Sequence, residues 1–417
     1  MITNEALRIL TNQLAFTKRV NRHYDQSFGV EGAKIGTTLN VRKPVRYLVS
    51  QGPALTIQDI TETTVPVTLT TQAVVGISFT SQDLKLSIDE FSKRLIQPAV
   101  AAIANQIDFD GMGLYRQVYN YVAESALSPV PAWTPGAVPQ RLLTYLNAGV
   151  ALDNNACPQD GQRSVIINPQ MQATIVDALK GLFHSGDELE KQYKKGHMGV
   201  AAGFEWAQDQ NTWTHTTGNV YPSSNASTPE IGTSLVAAGG ATIYASGFYA
   251  NSTLVVGDII QIAGVYQVNP QNHQSTNVLQ PFVVTAPTGL MTGTNDAIQI
   301  SPAIVTSGAY QNVTAAPLLN AAITVFGQGA GAPLNGIAGA STPQGLAFHP
   351  DAFTLACADL PLPEGVDMAA RASDEDTGLS LRMVRQYDIN TDKWPCRVDV
   401  LYGWAALRPE LACRILS

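Results

Sequence analysis

Two hydrophobic periods alternate along this chain. Between Leu39 and Phe79 apolar residues recur at every second position, as Leu39, Val41, Val45, Tyr47 and Val49, then Val65, Val67, Leu69, Ala73, Val75, Ile77 and Phe79. Period two over this length predicts two long strands, each with one apolar face. They are joined by a turn region from Ser50 to Glu62 that contains Gly52-Pro53. The period then changes. Ile88, Phe91, Leu95, Ala99, Ala102, Ile103 and Ile107 fall at three- and four-residue steps, one stripe of a long helix. Ser87-Ile88-Asp89-Glu90 reads as a capping box, in which the Glu90 N–H donates to the Ser87 hydroxyl and the Ser87 N–H to the Glu90 carboxylate. Leu114 and Val118 carry the stripe toward Val122, and unkinked the helix would be roughly 50 Å long. Pro98 has no N–H to donate, so a kink or two abutting helices are expected there.

Ahead of the strands, residues 1–30 begin with an amphipathic helix. Ala6, Leu7, Leu10, Leu14 and Phe16 form one face, and Lys18, Arg19, Arg22 and His23 follow as a basic cluster. The cluster suits a docking arm for an acidic partner, and equally a solvated helix end where cations favour the dipole. Beyond the long helix, Pro129, Pro131, Pro135 and Pro139 mark a linker. A mixed region follows, with helices at 140–152 and Pro169–Phe183 around a buried strand Ser164–Ile167. Near Thr217 the composition turns to Gly, Ala, Thr, Ser and Asn, with short strand-like runs at Leu254–Val256, Ile259–Val268, Phe282–Thr285 and Ala297–Ile300. Turn residues between them predict a small all-β module inserted into the α/β body, with Gly327–Ser341 as its exit linker. Strand patterns return at Phe353–Cys357, at Leu379, Leu381 and Met383, and at Cys396, Val398, Val400 and Tyr402. The turn Asp388–Trp394 joins the last two into a hairpin.

Composition narrows the class. A chain of 417 residues with only 14% charged residues suits a protein that buries much of its surface within itself or against its own copies. A formal charge of −8 argues against a sequence-independent nucleic-acid binder. The four cysteines, Cys157, Cys357, Cys396 and Cys413, form no C-x-x-C pair and read as free thiols of a reducing compartment. The start has no signal-peptide pattern, and no run reaches the roughly 18 apolar residues of a membrane span, so a soluble cytoplasmic product is expected. Phosphate-loop, zinc-helix and nucleophile-elbow motifs are absent, and the six histidines stand apart from one another. Asp374-Glu375-Asp376, the densest run of acids, reads as solvated. No cofactor, metal or catalytic residue is expected.

The tail carries a resemblance. Phe348-His349-Pro350-Asp351-Ala352-Phe353 with Leu360-Pro361-Leu362-Pro363, the run Gly378–Asp388, Asp399–Gly403, and Arg408-Pro409-Glu410-Leu411-Ala412 resemble the major capsid proteins of tailed double-stranded DNA phages, of the Hong-Kong-97-type fold. Gly257–Pro270 and Leu279–Val284 look like the extra β domain of the P-twenty-two-type coat protein branch. The likeness covers nearly the whole chain in order. It implies an α+β fold divided as N-terminal arm 1–36, extended hairpin loop 37–82, peripheral domain with a spine helix 83–138, axial domain 139–217, inserted all-β domain 218–340 and return strands 341–417.

The resemblance further implies a virion shell protein, assembled in a bacterial cytoplasm into hexamers and pentamers around phage DNA that it does not bind specifically. Portal and scaffolding proteins are the implied partners besides itself. The hairpin would overlap a neighbouring subunit, with Leu55, Ile57, Ile60, Val65, Val67 and Leu69 as candidate interface residues and Ser87, Glu90 and Pro98 shaping the spine. Two alternatives remain at this stage. One is a bacterial nanocompartment shell of the same fold. The other is an enzyme with a dispersed site around Cys357, although that thiol sits in an apolar strand pattern.

Overall fold

The computed structural model describes residues 14–22, 38–49, 52–53, 57–59, 62–80, 97–123, 141–179, 199–220, 229–232, 239–326, 341–373 and 379–416. Along the chain run β1 (Thr38–Arg42), β2 (Thr64–Thr68), β3 (Thr71–Thr80), α1 (Gln97–Met112), β4 (Tyr121–Ala123), α2 (Leu142–Asn154), β5 (Ser164–Ile167) and α3 (Pro169–Leu179). Next come β6 (Val200–Ala201), β7 (Phe204–Gln208), β8 (Thr214–Thr216), β9 (Glu230–Ile231), β10 (Gly240–Ser246), β11 (Ile259–Val268), β12 (Ser275–Val284), β13 (Asp296–Ile304) and β14 (Ile323–Val325). The chain closes with β15 (Ser341–Pro343), β16 (Gly345–Phe348), β17 (Phe353–Ala358), β18 (Met368–Ser373), β19 (Ser380–Arg385), β20 (Lys393–Ala406) and β21 (Ala412–Leu416). These elements form two compact units. One comprises Met1–Lys43, Glu62–Leu114 and Pro350–Leu407; the other comprises Pro44–Thr61, Tyr115–His349 and Arg408–Ser417.

In the first unit β20 is the axis. It pairs with β3 along Lys393–Tyr402, with β19 at Cys396–Asp399 and with β17 at Leu401–Ala406, all antiparallel, and β18 adds to β19. Alternation decides its faces. Cys396, Val398, Val400 and Tyr402 are buried on one side. On the other, Asp399 takes Arg382 in a two-point ion pair (Nε–Oδ1 2.9 Å, Nη2–Oδ2 2.6 Å), with Arg397 Nε and Gln72 Nε2 each donating at 2.8 Å. One carboxylate thereby ties β3, β19 and β20 together. Gly403 lies where Thr68 passes, and the Thr68 carbonyl fills the space a Cβ would need.

The expected pair of long strands takes a different form. The run 65–79 breaks at Leu69-Thr70 into β2 and β3. Only β2 pairs with β1, over five residues, while β3 joins β20. Residues 43–49 are not in a strand. Period two fixes which face a strand buries and leaves its partner open.

The long helix is also reshaped. It ends at Met112, and Gly113–Gln117 tightens into a 3₁₀ turn before β4, so the stripe does not continue helically to Val122. Glycine at 111 and 113 weakens helix propagation there. Ala102 faces outward, whereas Val100 and Ala104 are buried with Ala99, Ile103 and Ile107. Pro98 lies in α1 at the edge of the described residues, so the kink expected there falls outside them. Ser87, Glu90 and the segment before Gln97 lie outside the described residues.

The second unit holds a six-stranded mixed sheet in the order β4-β21-β16-β5-β7-β6. β5, β16 and β21 are buried at every position, which explains their largely apolar runs and leaves Ser164 and Arg414 as enclosed polar residues. A second six-stranded sheet runs in the order β14-β11-β12-β13-β10-β9, from the stretch Glu230–Val325. Its end strands meet at a Glu230–Ala322 bridge, where Ile231 N donates to Ala321 O and Ile323 N to Pro229 O at 2.9 and 2.7 Å. The sheet thus nearly closes as a barrel. Ile243, Ile260, Ile262, Phe282, Ile298, Ile300 and Val325 fill it. Leu254–Val256, expected as a strand, is irregular, with Leu254 turned into this core.

Candidate assembly surfaces

The hairpin has a core end and an exposed end. At the core end Val67 is fully buried and packs with Val41, Ala356, Ala405 and Leu407, while Leu39, Val65 and Leu69 pack around this cluster half-buried. Within the single chain Val67 is therefore sealed against its own neighbours. Arg42 pairs with Glu62 at 3.1 Å across the hairpin.

The connecting loop presents the opposite chemistry. Val49 is 92% and Ile57 84% exposed, with Tyr47 and Leu48 exposed beside Val49. Gln58 braces this stretch: its Nε2 donates to Leu48 O and its Oε1 accepts from Leu48 N at 2.8 Å. The amide substitutes for a strand partner, so the apolar side chains project from a pinned backbone. Arg46 anchors the same loop through Glu410 at 3.4 Å, an acid it shares with Arg408. Leu55 and Ile60 lie outside the described residues.

The barrel is joined to the rest of its unit by two buried polar links. In the first, Asp258 at the start of β11 receives Val255 N at 2.8 Å and Gly218 N at 3.2 Å, and lies 2.9 Å from His215 Nε2. Tyr115 OH is 3.0 Å from His215 Nδ1. A neutral imidazole with its proton on Nε2 satisfies both contacts. Burial lowers the proton affinity of His215, with Arg414 and Arg116 adding to the effect and Asp258 opposing it. Arg414 of β21, fully buried, donates Nε to Gln344 Oε1 at 2.9 Å and Nη1 to Gly257 O at 2.6 Å, and lies 5.0 Å from the centre of the Tyr115 ring. Burial pulls its pKa down to about 10, so it stays cationic at neutral pH. In the second link, Gln267 of β11 donates to Asn155 at 2.9 Å, and Asn155 donates to Asn120 at 3.3 Å. Asn120 in turn donates to Glu410 O and Ala412 O.

Neither link was visible in sequence. Their members come from distant segments and match no motif; a lone Arg within the apolar run Leu411–Leu416 was the one available signal.

The thiols are not arranged for catalysis. All four are buried, and burial raises the pKa of Cys157, Cys396 and Cys413. Cys357 accepts from Ser380 N at 3.4 Å, inside the sheet. Among the described residues no group of acids, His and Cys could hold a metal ion, and no helix is long and apolar enough to cross a membrane. The run 374–376 lies outside them.

A family model described as "P22 coat protein - gene protein 5" matches residues 54–415. The chain belongs to the P22 coat protein family. As a member it is the major capsid protein of a tailed phage, a structural and non-enzymatic component of the icosahedral head. That sets aside the nanocompartment and enzyme readings. No curated protein matches this coat protein in sequence. Solved structures resemble it distantly. One from Mycobacterium phage Che8 is 12% identical, with 96% of this chain and 90% of that one covered and a TM-score of 0.44. The capsid of the cyanophage P-SCSP1u is 12% identical, covering 91% and 83% at 0.45, and that of Ralstonia phage GP4 8% identical, covering 97% and 88% at 0.42. The assignment rests on the family match.

Proposed function

We propose that this coat protein closes into hexamers and pentamers by laying the loop between β1 and β2 on a neighbouring subunit. The observation that carries the reading is the pinned, exposed apolar cluster of Tyr47, Val49 and Ile57. Apolar surface of this kind yields roughly 25 cal/mol per Å² when covered, and a lattice multiplies each small contact. Ile57 is the centre of the interface, with Leu55 and Ile60 of the same loop; Val65 and Leu69, half-buried, and Val67 are the further candidates. The divisions at 1–36, 37–82, 83–138, 139–217, 218–340 and 341–417 serve as arm, extended loop, peripheral domain with its spine, axial domain, inserted domain and return strands. Ser87 and Glu90 cap the spine ahead of Pro98. Portal and scaffolding proteins complete the assembly. The enclosed double-stranded DNA is held without specific contacts, a reading supported by the net charge of −8.

Ile57→Asp tests this directly. The variant is expected to fold as a subunit with an unchanged unfolding midpoint and to give few or no closed shells under conditions where the parent gives many. Normal shell yield from Ile57→Asp and Val49→Asp together would refute the loop as the overlapping contact.

A further inference from the structure

The connecting loop Pro44–Thr61 belongs to the second unit, although β1 and β2, which carry it, belong to the first. Arg46 is the last partly buried residue of this stretch before Tyr47, Leu48 and Val49, all exposed. Its Nη2 lies 3.4 Å from Glu410 Oε1, and its guanidinium carbon 6.0 Å from the centre of the Tyr310 ring, at the outer range of a cation–π contact.

Both of these partners stand on braced backbone. Glu410 sits in the 3₁₀ turn Pro409–Leu411, where Leu411 N donates to Arg408 O at 2.9 Å and Asn120 Nδ2 to Glu410 O at 3.1 Å. The same Oε1 lies 3.4 Å from Arg408 Nε, so two guanidinium groups share one carboxylate oxygen. Tyr310 lies between β13 and β14, in a turn that Asn312 ties together. Asn312 Oδ1 accepts from Val305 N at 2.9 Å, and its Nδ2 donates to Ala303 O at 2.7 Å. The buried Tyr119 completes the cluster. Burial and Glu410 oppose its ionisation while Arg46 and Arg408 favour it, so all three charges act on one point.

We infer that Arg46 is the positioning residue of the assembly loop, clamped between Glu410 and Tyr310, and that the near-barrel thereby helps to aim the loop. Arg46 and Glu410 are 29% and 17% exposed, and ion pairs this open add little to stability. What the clamp supplies is direction. Lys43 N donates to Thr63 O at 2.8 Å at the base of the loop, Arg46 holds it three residues on, and Gln58 holds Leu48 beyond that. Cutting the middle tie frees the course of the exposed apolar run without unfolding either unit. Removing Glu410 leaves Arg46 and Arg408 as two cations facing each other, which repel. The consequence for assembly rests on the overlapping loop proposed above; the clamp itself rests on contacts within one chain.

The test is a charge swap in the full-length chain. Amide exchange of residues 45–49 in the free subunit reads the loop, exchange in β11 and β21 reads the integrity of the unit, and the yield of closed shells is scored separately. Arg46→Glu and Glu410→Arg alone are each expected to speed exchange of residues 45–49 several-fold and to lower shell yield, with β11 and β21 unchanged. The double variant restores the pair with its signs reversed and is expected to return exchange to within about twofold of the parent. Tyr310→Leu removes the ring face and is expected to speed the same exchange several-fold. Exchange in the double variant as fast as in the faster single one, or parent-like exchange in Tyr310→Leu, would overturn the clamp. So would a rise at residues 45–49 matched in β21, which would make Arg46 an ordinary stabilising contact. Exchange that rises in the single variants and returns in the double, with shell yield unchanged throughout, would uphold the clamp and count against the overlapping loop alone.

Discussion

Arg414 is fully buried, and a buried guanidinium is tolerated only when its donors are used. Its hydrogen bonds to Gln344 and Gly257 bring β21 against the base of the barrel, beside Asp258 and His215. Arg414→Ala should lower the stability of its unit by about 3 kcal/mol or more, read from the urea midpoint at constant slope. His215 gives a pH signature. Its proton affinity is lowered in the folded chain, so between that value and the ordinary one near 6.5 the unfolded chain binds more protons. Stability is then complete above about pH 6.5 and declines as pH falls toward the folded value. His215→Asn should flatten that decline; an unaltered slope from pH 7.5 to 5 would locate the effect elsewhere. None of this could be read from one sequence. Tyr115, His215, Asp258 and Arg414 are separated by 43 to 299 positions from one another, and only the closed sheets bring them together. The sequence did mark Cys357 as a core thiol, because its neighbours alternate as a buried strand requires.

Elements were legible where their burial was one-sided or complete. β5, β17, β19 and β20 lie where their patterns place them, and α2 and α3 match the expected helices within the described residues. Partners were harder. The apolar run 65–79 reads as one strand, and only the fold shows that Leu69-Thr70 hands it from β1 to β20. The hairpin separates two roles that hydrophobicity alone merges. Val67 and Ile57 are both aliphatic residues of the same excursion, one sealed and one projecting. Val67→Ala should destabilise the chain by about 2 kcal/mol. Ile57→Ser should stay within about 0.5 kcal/mol of the parent while lowering the yield of shells. Matching stability losses in both variants would mean the loop is packed in the free subunit.

At the scale of the whole chain, the near-barrel has its own core and nearly closed sheet, so residues 218–340 expressed alone should unfold cooperatively. A non-cooperative thermal transition in that fragment would mean the barrel depends on its two polar links. The low charged fraction and the apolar loop tip have one common explanation, a subunit whose surface is completed by copies of itself. The most direct test of this account is electron microscopy of the purified chain, expressed with and without a candidate scaffolding protein. Closed icosahedral shells with the loop 43–62 in density over an adjacent subunit are predicted. Subunits that stay monomeric in both preparations, or shells in which that loop touches only its own chain, would contradict it.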